Sequence, residues 1–457
     1  MAFNSSNLSL NTLLKIWQRG GIVDQLPAHS EIWKLIMKKK TGVDQGRQVN
    51  FEIMTGKGLG AIQGGNFGGI LPVARRVDVA EYTAHYKLTE MAVSYDEDLE
   101  RRLKGGDASY ARPFALELDA KKAGAAQIKS VEVMGDGMGV IGVLTANAVV
   151  STSADTAVFT ISATSANAGK SHIGWMLPSD LVKFVTSDKT AHGTINNTAT
   201  NVSYWKIISV DIANNQFTAS AYDSFDALIN LTNATIGATD PNSGDYIVRL
   251  DTTTLNYDAY ASDYNLACEV GAGLESLSAN DGRTVHGMTM SGLLAGTRKD
   301  CNGAVLDGEK FIDLLSKANQ ILGAEEFKAM KYSDALMYNG TYDNLIKDGA
   351  ANRQFVNVRD VETGLDNIGA RYMKTAITFT PDPYVQSQRV WVLPNSADCL
   401  EYLGTDFEEM SDGQGKKGNR NINSSGRFKK EIVRFFQSGG VLLSRKPSSL
   451  LALEDFA

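Results

Sequence analysis

Val49, Phe51 and Ile53 alternate with polar neighbours, the period-two pattern of a half-buried strand. A second alternation runs from Val73 to Tyr95 through Val77 and Val79, then Tyr82, Ala84, Tyr86 and Leu88, then Met91, Val93 and Tyr95. Its phase slips predict bulges. Between the two lies GKGLGAIQGGNFGG, in which Gly56, Gly58, Gly60, Gly64, Gly65, Gly68 and Gly69 are glycine and Lys57, Asn66 and Phe67 stand among them. The pattern predicts a long hairpin with a flexible tip. A two-stranded hairpin cannot bury its own apolar face. Val49, Phe51, Ile53, Tyr82, Tyr86 and Leu88 therefore need cover, either from the rest of the chain or from other copies.

Helical spacing appears on either side. Leu13, Leu14 and Trp17, then Ile32, Trp33, Ile36 and Met37, predict two short helical turns in an N-terminal arm. DEDLERRLKGGD predicts a short charged helix ending at Gly105-Gly106. Asp107 or Ser109 can cap the next helix, with Pro113 in its first turn. That helix runs from Ala111 to Met134, carries Phe114, Leu118, Ala125 and Ile128 on one face, and stops at Gly135-Asp136-Gly137.

From Val150 to Tyr260 the composition changes: sixteen threonines, no glutamate, and ten aspartates against five basic residues. This predicts a β-rich segment. Ala157–Ala163 and Asp245–Leu250 read as strands, and Tyr204–Val210 and Phe217–Ala221 flank a hairpin turn at Asn214-Asn215. Asp240, Asn242, Gly244 and Asp245 resemble a calcium loop only faintly, with loop glycine and acid exchanged, and read as a polar turn. Beyond Arg283, Asp307 caps a helix with Phe311, Ile312, Leu315, Ala318 and Leu322 inward and Gly323 as its stop. Asp334–Tyr338, Ala376–Thr380 and Arg389–Leu393 read as strands, with a helix around Tyr342–Lys347 and a turn at Pro381-Asp382-Pro383. Ser411–Gly426 reads as a polar, mobile loop, and Phe428–Phe436 and Val441–Ser444 as final strands.

Composition narrows the chemistry. Of 457 residues, 43% are hydrophobic and 21% charged, with net charge −7, which excludes wholesale disorder and a coat held on nucleic acid by net charge. No apolar run reaches the ~18 residues of a membrane span. The first residues lack a secretory pattern, so a cytoplasmic origin is expected. Three distant cysteines, Cys268, Cys301 and Cys399, and five scattered histidines give no disulfide framework and no metal spacing, so no cofactor or metal is expected. Gly56-Lys57-Gly58-Leu59-Gly60-Ala61 matches a dinucleotide fingerprint, but more glycine and Pro72 follow where a phosphate-binding helix must start. Lys38, Lys39 and Lys40 lie in an arm with seven basic and three acidic residues; they read as a solvated face or as a polyanion contact. A hydrolase needs a nucleophile–base or carboxylate pair, and no GxSxG, P-loop or HExxH pattern is present.

The order of arm, glycine-tipped hairpin, capped long helix and the stretch Val133–Gly142 resembles the major capsid proteins of tailed bacteriophages, with the α+β Hong Kong 97-type fold. The resemblance implies an arm over residues 1–46 and an extended loop over 47–95. A peripheral domain with the spine helix covers 96–149 and continues over 261–332. It implies an inserted β-rich domain over 150–260, an axial domain over 333–427 and a return to the peripheral domain over 428–457. It implies no enzyme but a self-assembling virion protein made in the host bacterial cytoplasm. Hexamers and pentamers would close an icosahedral head around double-stranded DNA held non-specifically. Portal, scaffold and decoration proteins would be partners, with no membrane. In some members a loop lysine forms an isopeptide bond to a neighbour, which singles out Lys57; an ordinary surface lysine is the alternative. An encapsulin-like bacterial compartment shares the fold, and an unrecognised β-rich hydrolase is the alternative of another class.

Overall fold

The computed structural model describes residues 31–37, 40–41, 48–56, 76–85, 87–96, 113–136, 139–146, 149–150, 156–164, 170–185, 202, 204–223, 227–229, 241, 243–249, 272–352, 369–372, 375–395, 399–404, 408–409, 419–422 and 428–456. The chain begins with helix α1 (Glu31–Met37) and strands β1 (Lys40–Thr41), β2 (Gln48–Gly56), β3 (Asp78–His85) and β4 (Lys87–Asp96). Helix α2 (Pro113–Met134) then leads into β5 (Val140–Val143), β6 (Val149–Val150), β7 (Thr156–Thr160), β8 (Leu181–Val185), β9 (Tyr204–Asp211), β10 (Gln216–Tyr222) and β11 (Tyr246–Arg249). After α3 (Leu274–Leu277) come β12 (Thr284–Val285), β13 (Met288–Thr289), β14 (Thr297–Ala304), α4 (Gly308–Leu322), α5 (Ala324–Ala329), β15 (Asp334–Met337) and α6 (Asn339–Asn352). The last elements are β16 (Gly369–Tyr372), β17 (Thr375–Pro381), β18 (Arg389–Leu393), β19 (Glu401–Gly404), β20 (Glu408–Glu409), β21 (Asn419–Ile422), β22 (Phe428–Leu443) and β23 (Leu451–Phe456).

Three larger sheets result. One has the order β14-β23-β18-β15-β17-β16, and every residue of its central strand β18, RVWVL, is buried, as an apolar run covered on both faces requires. Helix α4 lies on it through Phe311, Leu314, Leu315 and Ala318, and the Asp307 carboxylate accepts the Lys310 N–H at 2.8 Å as its N-cap. Ile312, expected inward, is 48% exposed: the buried stripe follows Leu314 instead. Strands β17 and β18 are not neighbours across the Pro381–Pro383 turn, because β15 lies between them.

The second sheet is organised by β22, sixteen residues long, which runs unbroken through Ser438-Gly439-Gly440 where two separate strands were expected. It pairs with β4, β19, β20 and β21. Part of the stretch read as a mobile loop is therefore strand: Asn419–Ile422 pairs with Phe428–Val433. The third sheet, β5-β11-β8-β9-β10-β7-β6, holds the threonine-rich segment and takes its first strand from Val140–Val143. Phe159 packs between Phe184 and Phe217 at ring separations of 4.6 and 5.1 Å, with Trp205 edge-on at 5.0 Å. These rings belong to the same contiguous core as Ile32, Phe51, Met134, Trp391 and Leu442.

One turn joins the layers. Both oxygens of the fully buried Asp382 carboxylate accept backbone N–H groups, from Ile32 at 3.0 Å and Tyr384 at 2.8 Å, so a residue 350 positions away satisfies the first turn of α1. His172 Nε2–H donates to the Pro383 carbonyl at 3.1 Å, and Trp175 Nε1–H to the Tyr384 carbonyl at 2.7 Å, which seats the third sheet. The Gln386 amide donates to the Met134 carbonyl at 3.2 Å, where α2 ends. The Gly135 carbonyl beyond it accepts the Glu275 N–H at 3.2 Å. That close approach requires glycine at position 273, where a Cβ would stand 2.0 Å from the Gly135 carbonyl oxygen.

A buried ionic cluster closes the same joint. Glu275 meets Arg298 at 2.7 Å and Arg389 at 2.8 Å, and Glu454 of β23 contacts both arginines. Burial pushes the Glu275 carboxyl up, but Arg389 and Arg298 outweigh it and hold it below the usual carboxylate range. Such a cluster adds little net stability over apolar packing, yet removing one member strands a buried charge.

Two outcomes are expected. Gly273→Ala lowers stability by about 1–3 kcal/mol in urea unfolding, because its Cβ meets fixed backbone. Burial pushes the His172 imidazole down to about 4 from its ordinary value of 6.5, against the Pro383 hydrogen bond. The unfolded chain therefore binds the extra proton first, and stability falls as pH drops from 6.5 towards 4, by about 3 kcal/mol over the full window. Urea midpoints measured across that window have a flatter slope in His172→Asn.

Candidate assembly surface

Pairing of β2 with β3 puts alternate residues on opposite faces of a two-stranded ribbon. Val49 and Ala84, Phe51 and Tyr82, and Ile53 and Ala80 share the inner face. Phe51 and Ala84 are buried, and Val49, Ile53 and Tyr82 pack against the core. The Phe51 ring stands edge-on to His286 at 6.5 Å, and the Thr83 N–H donates to the His286 carbonyl at 3.3 Å. The body of the same chain thus covers the hairpin base.

The outer face changes character along its length. Near the base it is polar: Asn50 donates to Glu81 at 2.8 Å and accepts from the Thr83 hydroxyl at 3.1 Å, with Glu52 beside them. Toward the tip it is apolar: Met54 and Val79, directly opposed, are 61% and 55% exposed, and Val77 is 48% exposed. A bulge between Met54 and Gly56 twists the ribbon at this point.

Along the stretch that reads as the second hairpin strand the partner changes: β3 pairs with β2, and β4 pairs with β22 over ten residues, from Lys87 opposite Gly440 to Asp96 opposite Glu431. Leu88, on the expected apolar face, lies opposite Gly439 in this ladder. Gly56 ends β2, while Lys57, Gly58, Gly60, Gly64, Gly65, Asn66, Phe67, Gly68, Gly69 and Tyr86 lie outside the described residues, as do Leu13, Leu14, Trp17, Lys38, Lys39 and the charged helix at 97–107. Lys40 pairs with Tyr402 in a short parallel ladder.

On α2, Ala125 is buried, Leu118 and Ile128 are half-buried, and the Phe114 side chain lies outside the described residues. Gly135 and Asp136 are buried at the helix end, and Gly137 lies outside the described residues. The surprise on this helix is Lys129, which is buried, donates to the Ser438 hydroxyl of β22 and lies over the Trp33 ring of α1 at 5.6 Å. Nothing in its spacing marked it, since a lysine in a helix ordinarily reads as solvent-facing. His286 was likewise one of five scattered histidines.

Among the described residues, no helix is long and apolar enough to cross a membrane, and no cluster of His, Cys, Asp and Glu is placed to hold a metal. No family model matches the chain, and no curated protein sequence does. Among solved structures the chain is similar to the capsid asymmetric unit of cyanophage A-1(L), with TM-score 0.51, 9% identity, and 98% of this chain and 99% of that one covered. It is also similar to the capsid of Myoviridae phage XM1 (TM-score 0.43, 8% identity, 99% of each chain). A further likeness is to the holo-SrpI encapsulin complex from Synechococcus elongatus PCC 7942 (TM-score 0.39, 7% identity, 100% and 96%). The cyanophage likeness shows the fold: the chain has a Hong Kong 97-type capsid fold across nearly its full length.

The two faces of the ribbon separate by mutation. Phe51→Ala is expected to lower stability by about 3 kcal/mol in urea unfolding, through a cavity at the hairpin base. Met54→Ala, on the outer face, is expected to stay within about 0.5 kcal/mol.

Proposed function

We propose that this chain is a structural shell subunit. It assembles with copies of itself into hexamers and pentamers of an icosahedral head of the tailed-phage type, around double-stranded DNA. The fold supports a shell role, and one observation carries the reading: the body covers the inner face of the hairpin, while its outer face turns apolar toward the tip at Met54, Val77 and Val79. An exposed apolar strip on a two-stranded ribbon calls for a partner surface. A second copy, presented many times in a closed shell, supplies one.

In this reading residues 47–95 are the extended loop, with the tip Gly56–Gly69 reaching a neighbour. Residues 1–46 are the arm, and Lys38–Lys40 lie near packaged polyanion. Residues 96–149, 261–332 and 428–457 form the peripheral domain with α2 as spine helix, and 333–427 the axial domain. The β-rich segment 150–260 braces neighbours or decorates the outer surface. Portal and scaffold proteins complete the assembly, and no catalytic step is assigned to the chain.

The combined change Met54→Asp and Val79→Lys puts charge only where the chain is already exposed, with opposite signs on the directly opposed pair. It is expected to leave the circular dichroism and melting of the subunit unchanged and to cut particle yield at least tenfold in sucrose gradients. Shortening Gly56–Gly69 is expected to do the same. Normal particles from both variants would refute the hairpin as the assembly element.

A further inference from the structure

The turn between β12 and β13 has two central residues, His286 and Gly287, with φ of +52° and +82°, between the paired residues Val285 and Met288. Two positive φ values mark a type I′ turn, whose first central position ordinarily takes Asn, Asp or Gly. Histidine in that position holds a left-handed backbone that a β-carbon disfavours. Histidine tolerates this region better than most residues that carry a β-carbon, so the turn can present its side chain.

Here the side chain is buried between two elements. Its Nε2 faces the Leu442 carbonyl of β22 at 3.0 Å, and since a carbonyl only accepts, Nε2 carries the proton. The ring face meets Phe51 of β2 edge-on, and the backbone carbonyl accepts the Thr83 N–H of β3. Leu442 lies two residues beyond Gly440, the last residue of β22 in the described β4–β22 pairs. His286 therefore ties both hairpin strands to a second point on β22, offset from the ladder. Two separated attachments fix an orientation where one leaves a hinge.

We propose that His286 is a positioning residue: a pin that sets the angle at which the hairpin leaves the body, with its turn shaped to hold the imidazole between Phe51 and Leu442. Its consequence for shells rests on the reading of the hairpin as the assembly element; the pin itself does not.

His286→Asn tests this directly. Asparagine suits the turn better but is too short to reach Leu442 or to replace the ring against Phe51. Hydrogen exchange of the full-length chain, followed by mass spectrometry, is expected to show segments 48–56 and 78–85 exchanging at least tenfold faster. Protection of 308–322 and 389–393 is expected to fall much less, in step with a modest drop in melting temperature from the unpaired Leu442 carbonyl. His286→Gln, long enough to offer Leu442 an N–H, is expected to recover part of the hairpin protection and supplies the measurement should H286N not fold. Unchanged hairpin exchange, or protection lost evenly across the chain in both variants, would overturn the pin. If hairpin exchange rises while particles form in normal yield, the pin stands and the assembly reading fails.

Discussion

Ten consecutive backbone pairs between Lys87–Asp96 and Glu431–Gly440 hold the molecule in its shape. Strand β22 gives one edge to β4 and distributes the other among β19, β20 and β21, so residues more than 300 positions apart share one ladder. Backbone N–H and C=O groups away from water must be paired, and here the chain end satisfies those of the strand leaving the hairpin. The hairpin is thereby carried on the body as an extension of a sheet. Helix α2 runs beside this sheet, and Lys129 reaches from it to Ser438 and Trp33, so arm, helix and C-terminal strand meet at one point.

Given that ladder, the ribbon cannot satisfy both of its faces from within one chain. Phe51 and its neighbours settle on the body, leaving Met54, Val77 and Val79 exposed. The polar stretch of Asn50, Glu52, Glu81 and Thr83 separates the two zones and keeps the base of the outer face in water. The seven-stranded sheet is tied in differently. It carries its own aromatic core around Phe159 but docks through His172 and Trp175 on the carbonyls of Pro383 and Tyr384, so a rigid turn holds it at a fixed place.

Local signals read well from sequence. The alternation of Val49, Phe51 and Ile53, the Asp307 cap, the Gly323 stop and the turn at Asn214-Asn215 each depend on neighbours within a few residues, and each lies where its pattern puts it. What could not be read depends on distant partners. Continuity of β22 through Gly439-Gly440 follows from its pairing with β4, which no local propensity encodes. Ile312 faces outward because the sheet beneath α4 selects Leu314. The Glu275–Arg298–Arg389–Glu454 cluster, buried Lys129 and the Asp382 cap on α1 use residue types that ordinarily mark surface. On the hairpin, Tyr82 and Phe51 were legible as a pair needing cover, but His286, which supplies part of it, was not, because a single histidine 200 residues away carries no periodic signal.

The measurement closest to the central claim is sedimentation velocity of the purified, unmodified chain across a concentration series, with electron micrographs of the fastest fraction. A subunit that must share its hairpin with copies of itself sediments as closed particles or discrete capsomers in equilibrium with monomer. A single monomeric boundary at 49.4 kDa, up to the highest concentration and in every assembly buffer tried, would contradict it.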